Sequence, residues 1–189
     1  MITIDDLVPF DVYTNIRDTY RQRAMTYRAD RRIAIGDHIT MVFENKVTIK
    51  YQIQEIIYVE KIKQDYLIQN EIDNYQPLVS SNHNLMATMM IEYSKEERAD
   101  ALAKLINIED FVYLHIDDQK IKAIADEDLE RSNSKKTSAV HFLRFDIPKE
   151  LIKKHHMIIQ SKIEIDHPEY KYITNLDNQF FYRLVADLH

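Results

Sequence analysis

Few side chains in this sequence have both the type and the spacing that chemistry requires, and His141 is the first of them. A histidine beside a carboxylate can act as a general base or a metal ligand, and Asp126, Asp166 and His167 are the residues that could meet it. His141 and Asp126 are therefore the catalytic candidates, and His141, Asp166 and His167 are the candidates for a divalent metal. The alternative, which we favour, is a buried histidine with satisfied ring nitrogens.

Most known catalytic motifs are missing, which narrows the possible chemistry. The chain contains no cysteine, so it offers no thiolate nucleophile, disulfide or cysteine-ligated metal. It has a single glycine, Gly36, whereas phosphate-binding loops and nucleophile elbows need glycine where the backbone approaches a ligand or turns sharply. No cofactor is therefore predicted, although a histidine and carboxylate site assembled across strands stays open.

Arginine is concentrated near the N-terminus. Between residues 17 and 32, six arginines stand against two aspartates, so this segment carries +4 and the remainder −10. Guanidinium groups stack on rings and form paired hydrogen bonds to carboxylate or phosphate, which suits an anion site or an acidic partner. The candidates for that role, including one on a later strand, are Arg17, Arg21, Arg28, Arg32 and Arg144.

Three of these arginines, together with Arg31, alternate with tyrosines along one side of a predicted helix. We call this side the Tyr/Arg face; at 100° per residue it comprises Phe10, Tyr13, Arg17, Tyr20, Arg21, Ala24, Arg28 and Arg31. It is either a docking surface or an ordinary border of the core. In the second interpretation, which we favour, the tyrosines cover the sheet and the arginine stems extend over them toward internal acids such as those at 126–130.

The elements that must position these side chains follow from periodicity and from residues that begin or end helices. In the N-terminal part we predict a helix from Pro9 to about Arg31, strands at 33–43 and 47–51 with turns at Gly36-Asp37 and Asn45-Lys46, and a helix over about 52–75 with a break near Asp65. In the C-terminal part we predict strands at 85–93, 111–116, 120–125, 139–146 and 162–165, and helices at 94–106, 148–157 and 176–188.

Three details of the C-terminal part are specific enough to be tested. Residues 85–91 are apolar on both parities, which is typical of a central strand. On the strand 139–146, His141 shares its face with Leu143 and Phe145, whereas Arg144 faces the other way. The last helix is predicted to be capped by Thr174 or Asn175.

This order of elements predicts an α+β fold with a largely antiparallel sheet covered by helices on one face, an N-terminal helix and a hairpin. A ferredoxin-like arrangement of the C-terminal part stays open. We predict a single domain over 1–189, in which 1–78 forms the N-terminal helix, hairpin and helices and 84–189 forms the main sheet.

Composition limits the partners and the location. The formal net charge of −6 argues against a nucleic-acid binder, which is usually basic. No apolar run approaches the roughly 20 residues that span a bilayer, and the N-terminus does not resemble a signal peptide. We therefore expect a cytoplasmic bacterial protein that binds neither nucleic acid nor membrane. A homodimer through an edge strand or the Tyr/Arg face is compatible with the sequence.

Four motifs spread over nearly the whole chain resemble an uncharacterised bacterial family, a domain of unknown function. They are RRIAIGDHITMVFEN, YQIQEI, IADEDLERSNSKKTSAVHFLRF and IDHPEY, of which the third is the most specific. Lys61 stands where the family pattern has arginine. The resemblance implies a redox or peroxide-stress setting, because members are often encoded beside a rubrerythrin-like protein and an iron–sulfur oxidoreductase. It implies no activity and no catalytic residues.

Two hypotheses about function follow. The first is a non-catalytic accessory or interaction protein that docks an acidic partner, such as a rubrerythrin-like or iron–sulfur protein, through the arginines of 17–32. The second is a metal- or anion-dependent enzyme in which His141 is the ligand or base and Arg144 or Arg32 holds an anion. The first is preferred because the chain lacks strong catalytic motifs. The sequence itself leaves the function unassigned.

Overall fold

The computed structural model describes residues 1–125 and 136–188. Its helices are α1 (Phe10–Ala29), α2 (Lys46–Val59), α3 (Asp65–Tyr75), α4 (Arg98–Lys104), α5 (Lys149–Lys153) and α6 (Asn178–Val185). Its strands are β1 (Arg32–Ile35), β2 (Ile39–Glu44), β3 (Asn84–Ile91), β4 (Val112–Ile116), β5 (Gln119–Lys122), β6 (Ile124–Ala125), β7 (Val140–Asp146), β8 (Ser161–His167) and β9 (Tyr170–Leu176).

The strands form two antiparallel sheets. Sheet A has the order β1-β2-β3-β7-β6, and sheet B has the order β5-β4-β8-β9. The α+β class, the antiparallel pairing and the N-terminal helix and hairpin are confirmed, and β3 is central as predicted. The prediction of one sheet is wrong, and so is the ferredoxin-like alternative. Strands β4, β5, β8 and β9 do not pair with β3 and β7 of sheet A but form a second sheet.

The main core lies between the two sheets. Alternate residues of sheet A, such as Phe43, Leu85 and Phe145, are fully buried there against Leu114 and Ile163 of sheet B. Helix α6 closes this core with a strongly apolar side; the ring of Phe180 lies 6.0 Å from the ring of Phe43. The observed alternation on β7 matches the predicted parity, because His141, Leu143 and Phe145 are buried and Arg144 is not.

Helices α1–α3 cover the opposite face of sheet A. Ile49, Ile53 and Ile57 of α2, spaced four residues apart, form a buried cluster with Ile72 of α3. This spacing corrects the prediction of a strand at 47–51. The alternation of apolar residues there fits a strand locally. Every second apolar residue is also four positions from the next, which places these residues on one face of a helix. Tertiary burial decides between the two structures.

The residues at the predicted turn 45–46 begin helix α2. Asn45 Oδ1 accepts hydrogen bonds from the backbone N–H groups of Val47 (3.0 Å) and Thr48 (3.1 Å), and Thr48 Oγ1 accepts one from the Asn45 N–H (2.9 Å). This reciprocal capping satisfies N–H groups that the first helical turn leaves without partners. The break predicted near Asp65 is confirmed, because α3 begins there.

Two further differences concern the C-terminal strands. Strand β9 follows Pro168 where a loop was predicted, and its residues alternate poorly because Lys171, Tyr172 and Ile173 are all exposed. The predicted caps, Thr174 and Asn175, therefore lie in the strand. Asp177 caps α6 instead, since its Oδ1 accepts from the Phe180 N–H at 2.7 Å. None of the helices among the described residues is long and apolar enough to cross a membrane.

Candidate functional site

The Tyr/Arg face of α1 packs against α2. Tyr13 is fully buried, and its ring meets the ring of Tyr20 edge-on at 5.3 Å and the ring of Tyr58 at 5.7 Å. Tyr20 stacks on Tyr51 of α2 at 6.3 Å. Burial raises the pKa of Tyr13, Tyr20 and Tyr51, so these phenols stay protonated. The interface between these helices is thus aromatic and polar.

Glu55 of α2 collects the donors of this face. Its Oε1 accepts from the Tyr13 hydroxyl (2.7 Å) and from Arg17 Nε (3.0 Å), and its Oε2 accepts from Arg17 Nη2 (2.7 Å). Arg21 Nη1 lies 3.5 Å from the same oxygen. Burial raises the pKa of Glu55. The hydrogen bonds from Arg17 and Tyr13 and the charges of Arg17 and Arg21 lower the pKa by more than burial raises it, so the pKa of Glu55 lies below its usual value.

Two more arginines pair with acids near the C-terminal end of α1, one acid buried and the other half-buried. Arg28 Nη2 lies 3.6 Å from Oε1 of Glu44, which is 1% exposed. Arg31 is 3% exposed; its Nε donates to the Phe43 carbonyl (3.0 Å), and its guanidinium binds the Asp187 carboxylate. These arginines hold α1 to the end of β2 and to the C-terminal turn.

The arginines therefore meet internal acids of other elements, and the acids at 126–130 that the sequence suggested lie outside the described part of the chain. Arg32 donates to both carboxylate oxygens of Glu92 at 3.0 Å on the surface. Asp187 was missed because it is 156 residues from Arg31 and carries no local signal. Among the arginines of 17–32, Arg23 is exposed and has no ion pair with any described residue.

His141 is 1% exposed and is held by the segment that precedes β7. Its Nε2 lies 2.9 Å from the Ser138 carbonyl oxygen and 3.1 Å from Thr137 Oγ1, and its Nδ1 lies 3.7 Å from Glu109 Oε2. Because a carbonyl only accepts, Nε2 carries the proton. These contacts are those of a buried histidine with a structural partner. Asp126 lies outside the described residues, so the roles predicted for His141 and Asp126 stay predictions.

Asp166 and His167 point to opposite faces of β8. Buried His167 donates from Nε2 to the Ile106 carbonyl (3.1 Å) and accepts at Nδ1 from the Glu169 N–H (3.2 Å). Asp166 accepts from Lys171 Nζ at 2.7 Å, and this hydrogen bond lowers the pKa of Asp166. The structure thus does not bring the two residues together. Within the described chain, no three His, Cys, Asp or Glu side chains gather as a metal-binding group.

Arg144 lines a cavity of about 300 Å³ between the turn after α3 and strands β3, β6 and β7. Its Nε donates to Asp146 Oδ1 at 2.9 Å, and its side chain is 42% exposed. Asn84 lines the same cavity, and its Oδ1 is buried with no hydrogen-bond partner among the described residues. Asn84 was not a predicted site residue, since a lone Asn before a strand is typical of a turn.

A charged cluster lies on the outer face of sheet B. Glu164 Oε2 is 2.6 Å from His115 Nε2 and 2.7 Å from Lys120 Nζ, and Lys120 lies 3.9 Å from the centre of the Tyr113 ring. The hydrogen bond from Lys120 is the largest cause that lowers the pKa of Glu164, and it raises the pKa of Lys120. The side chains of His115 and Glu164 are half-buried, and that of Lys120 is exposed.

The fold and these contacts define an α+β protein with two stacked antiparallel sheets and a polar helical layer. The chain belongs to the family described as a protein of unknown function, DUF3501, which matches residues 1–188. It is similar to a crystal structure of a novel protein of unknown function from Burkholderia pseudomallei, with 40% identity, a TM-score of 0.92, and 100% of this chain and 99% of that chain covered. No curated protein matches it. The family resemblance is confirmed, and the function is unassigned.

Proposed function

We propose that this protein is a non-catalytic accessory protein that docks a protein partner through an exposed stripe of α1. The stripe comprises Val12, Ile16, Thr19, Arg23 and Tyr27, whose spacing places them on one side of the helix. It runs about 22 Å along the helix axis at 1.5 Å per residue. It lies beside the Tyr/Arg face, whose arginines are paired with Glu55, Glu44 and Asp187.

The observation that carries this proposal is the position of Arg23. It is exposed, it has no acidic partner within the described chain, and it lies between Ile16 and Tyr27. Val12 is 51% exposed and Ile16 is 41% exposed, so apolar surface adjoins the unpaired cation. Arginine, aromatic and aliphatic side chains in this combination are typical of the centre of protein interfaces. The partner that fits presents a carboxylate within an apolar surface.

The partners to test are those that the family resemblance implies, a rubrerythrin-like protein and an iron–sulfur protein from the same genome, in a redox or peroxide-stress setting. Binding of each purified partner is measured by calorimetry for the wild type, for Arg23→Glu and for Gln22→Glu. Gln22 is exposed and lies about 100° around the helix, so it is a matched control for added negative charge. Arg28 and Arg31 are unsuitable for this test because they form ion pairs within the fold.

We expect Arg23→Glu to weaken the complex at least about tenfold, since a charge-assisted contact at an interface centre is lost and a repulsion replaces it. Gln22→Glu should leave the affinity within about twofold, as rim charges usually do. Equal affinities of wild type and Arg23→Glu, or no complex with either partner, would contradict the proposal. A second copy of this chain could also cover the stripe, and sedimentation of the chain alone tests this. A dimer that Arg23→Glu dissociates would assign the stripe to a second copy.

A further inference from the structure

We propose that the cavity lined by Arg144 and Asn84 binds a small carboxylic acid that has an apolar body and one further hydrogen-bond donor. The cavity opens at the border of the helical layer, between the turn that follows α3 and β6, which is the last strand in the order of sheet A. This site is separate from the α1 stripe, and its inference does not depend on the proposed partner.

Arg144 supplies the group that recognises the acid. Its Nε donates to Asp146, and its two Nη groups make no hydrogen bond with any described residue. A guanidinium presents parallel N–H donors that match the two oxygens of a carboxylate. One guanidinium beside the Asp146 carboxylate suits a single negative charge better than the double charge of a phosphate, because like charges repel.

Asn84 is the reason why the ligand needs a hydrogen-bond donor besides its carboxylate. Its Oδ1 is buried and has no donor among the described residues, and such an unpaired acceptor costs free energy in a folded protein. Asn84 begins β3, and Met86 of the same strand is the direct cross-strand neighbour of Arg144 on β7. Asn84 and Arg144 thus lie near each other across one strand pair. A ligand hydroxyl or amino group would satisfy the Asn84 oxygen.

The remaining walls determine the body of the ligand. Leu78, Val79, Met86 and Phe142 line the cavity with apolar surface. Ligand sites commonly combine such surface with a few polar groups, in cavities from roughly 300 Å³ upward. The volume of about 300 Å³ holds on the order of ten non-hydrogen atoms, if each takes the roughly 30 Å³ of one water molecule. A single substituted ring with a carboxylate meets that limit.

The probes are therefore 3- and 4-hydroxybenzoate, with benzoate, the two hydroxybenzyl alcohols and inorganic phosphate as comparisons. Calorimetry measures their binding to the full chain and to its Arg144→Gln and Asn84→Leu variants. Arg98→Gln is the matched control, because it removes an exposed arginine that does not line the cavity. Circular dichroism verifies that each variant is folded. Arg144 is half exposed, so its replacement by glutamine should leave the fold intact.

We expect at least one hydroxybenzoate to bind the wild type, and Arg144→Gln to weaken that binding about tenfold or more, which is the loss of one charge-assisted hydrogen-bond pair. Arg98→Gln should bind as the wild type does. The preference for hydroxybenzoate over benzoate should disappear in Asn84→Leu. Failure of both hydroxybenzoates to bind, equal binding by Arg144→Gln, or equal binding of the alcohols or of phosphate would overturn the proposal.

Discussion

The contacts of Glu55 allow the most direct test of how α1 is attached to the rest of the protein. Substituting glutamine removes its charge and keeps its shape. The variant loses the charge attraction to Arg17 and Arg21. The oxygen Oε2, which accepts from Arg17 Nη2, is replaced by an amide nitrogen, which is itself a donor. The Tyr13 hydroxyl keeps an amide oxygen as its acceptor. Glu55→Gln should therefore weaken the attachment of α1 without creating a cavity.

The expected loss follows from the contacts of the carboxylate. Hydrogen bonds to charged groups contribute about 1.5–3 kcal/mol when they are well buried. Here the side chains of Arg17 and Glu55 are 27% and 16% exposed, so solvent screening reduces this contribution. We expect the free energy of unfolding to fall by about 2 kcal/mol, which for a chain of this size lowers Tm by roughly 4–8 °C.

The same contacts predict how this loss depends on pH. The donors around Glu55 hold its pKa in the folded protein below the ordinary value of 4.5, although burial acts in the opposite direction. A carboxyl group with a lowered pKa contributes stability that is complete above its unfolded pKa and is lost as the pH falls through its folded pKa. The difference between wild type and Glu55→Gln should therefore be constant from neutral pH to about pH 5 and shrink below about pH 4.

Urea unfolding followed by far-ultraviolet circular dichroism at neutral pH and at about pH 3.5 measures both effects. Glu60→Gln is the matched control, since Glu60 is exposed at the end of the same helix and should change stability by less than about 0.5 kcal/mol. Equal losses for Glu55→Gln and Glu60→Gln, or a loss for Glu55→Gln that persists unchanged at low pH, would refute the role assigned to Glu55.

Two further substitutions test contacts between distant segments. Gly36→Ala should lower the free energy of unfolding by about 2–4 kcal/mol. A Cβ there would lie 2.6 Å from Tyr170 Oη and from Tyr172 Cγ, and the backbone φ of +69° disfavours any side chain. Urea unfolding measures this loss of stability. Arg31→Met should cost about 3 kcal/mol, because it leaves the Asp187 carboxylate without its cation; thermal unfolding measures it. An unchanged midpoint in either variant would contradict the contact that it tests.

The elements that the sequence predicted well are those with strong local signals. Helix α1 begins at Phe10, one residue after the predicted start at Pro9, and the turn at Gly36 joins β1 to β2 as predicted. The parity of β7 correctly placed His141 toward the core and Arg144 away from it. In each case a backbone restriction or a clear alternation of apolar and polar residues is present within a few residues of the element.

The elements that were missed depend on partners far away in the chain. Residues 47–51 alternate as a strand does, and only the burial of Ile49, Ile53 and Ile57 against sheet A shows that they are helical. Strand β9 has an exposed middle, so its pairing with β8 rather than its own pattern determines its structure. The second sheet could not be predicted either, since strand order depends on contacts that local periodicity does not contain.

The candidate site was uncertain for the same physical reason. A helix side rich in tyrosine and arginine is compatible with binding a partner and with pairing internally, and the choice depends on acids contributed by other elements. Here Glu55, Glu44, Glu92 and Asp187 come from four separate parts of the chain, at separations of up to 156 residues. Buried ion pairs add little net stability when both partners are retained, but removing one partner is costly. The ring contacts of α1 therefore stabilise the helix and the paired arginines fix its register, whereas Arg23 has no ion pair among the described residues and is the arginine through which we propose that a partner docks.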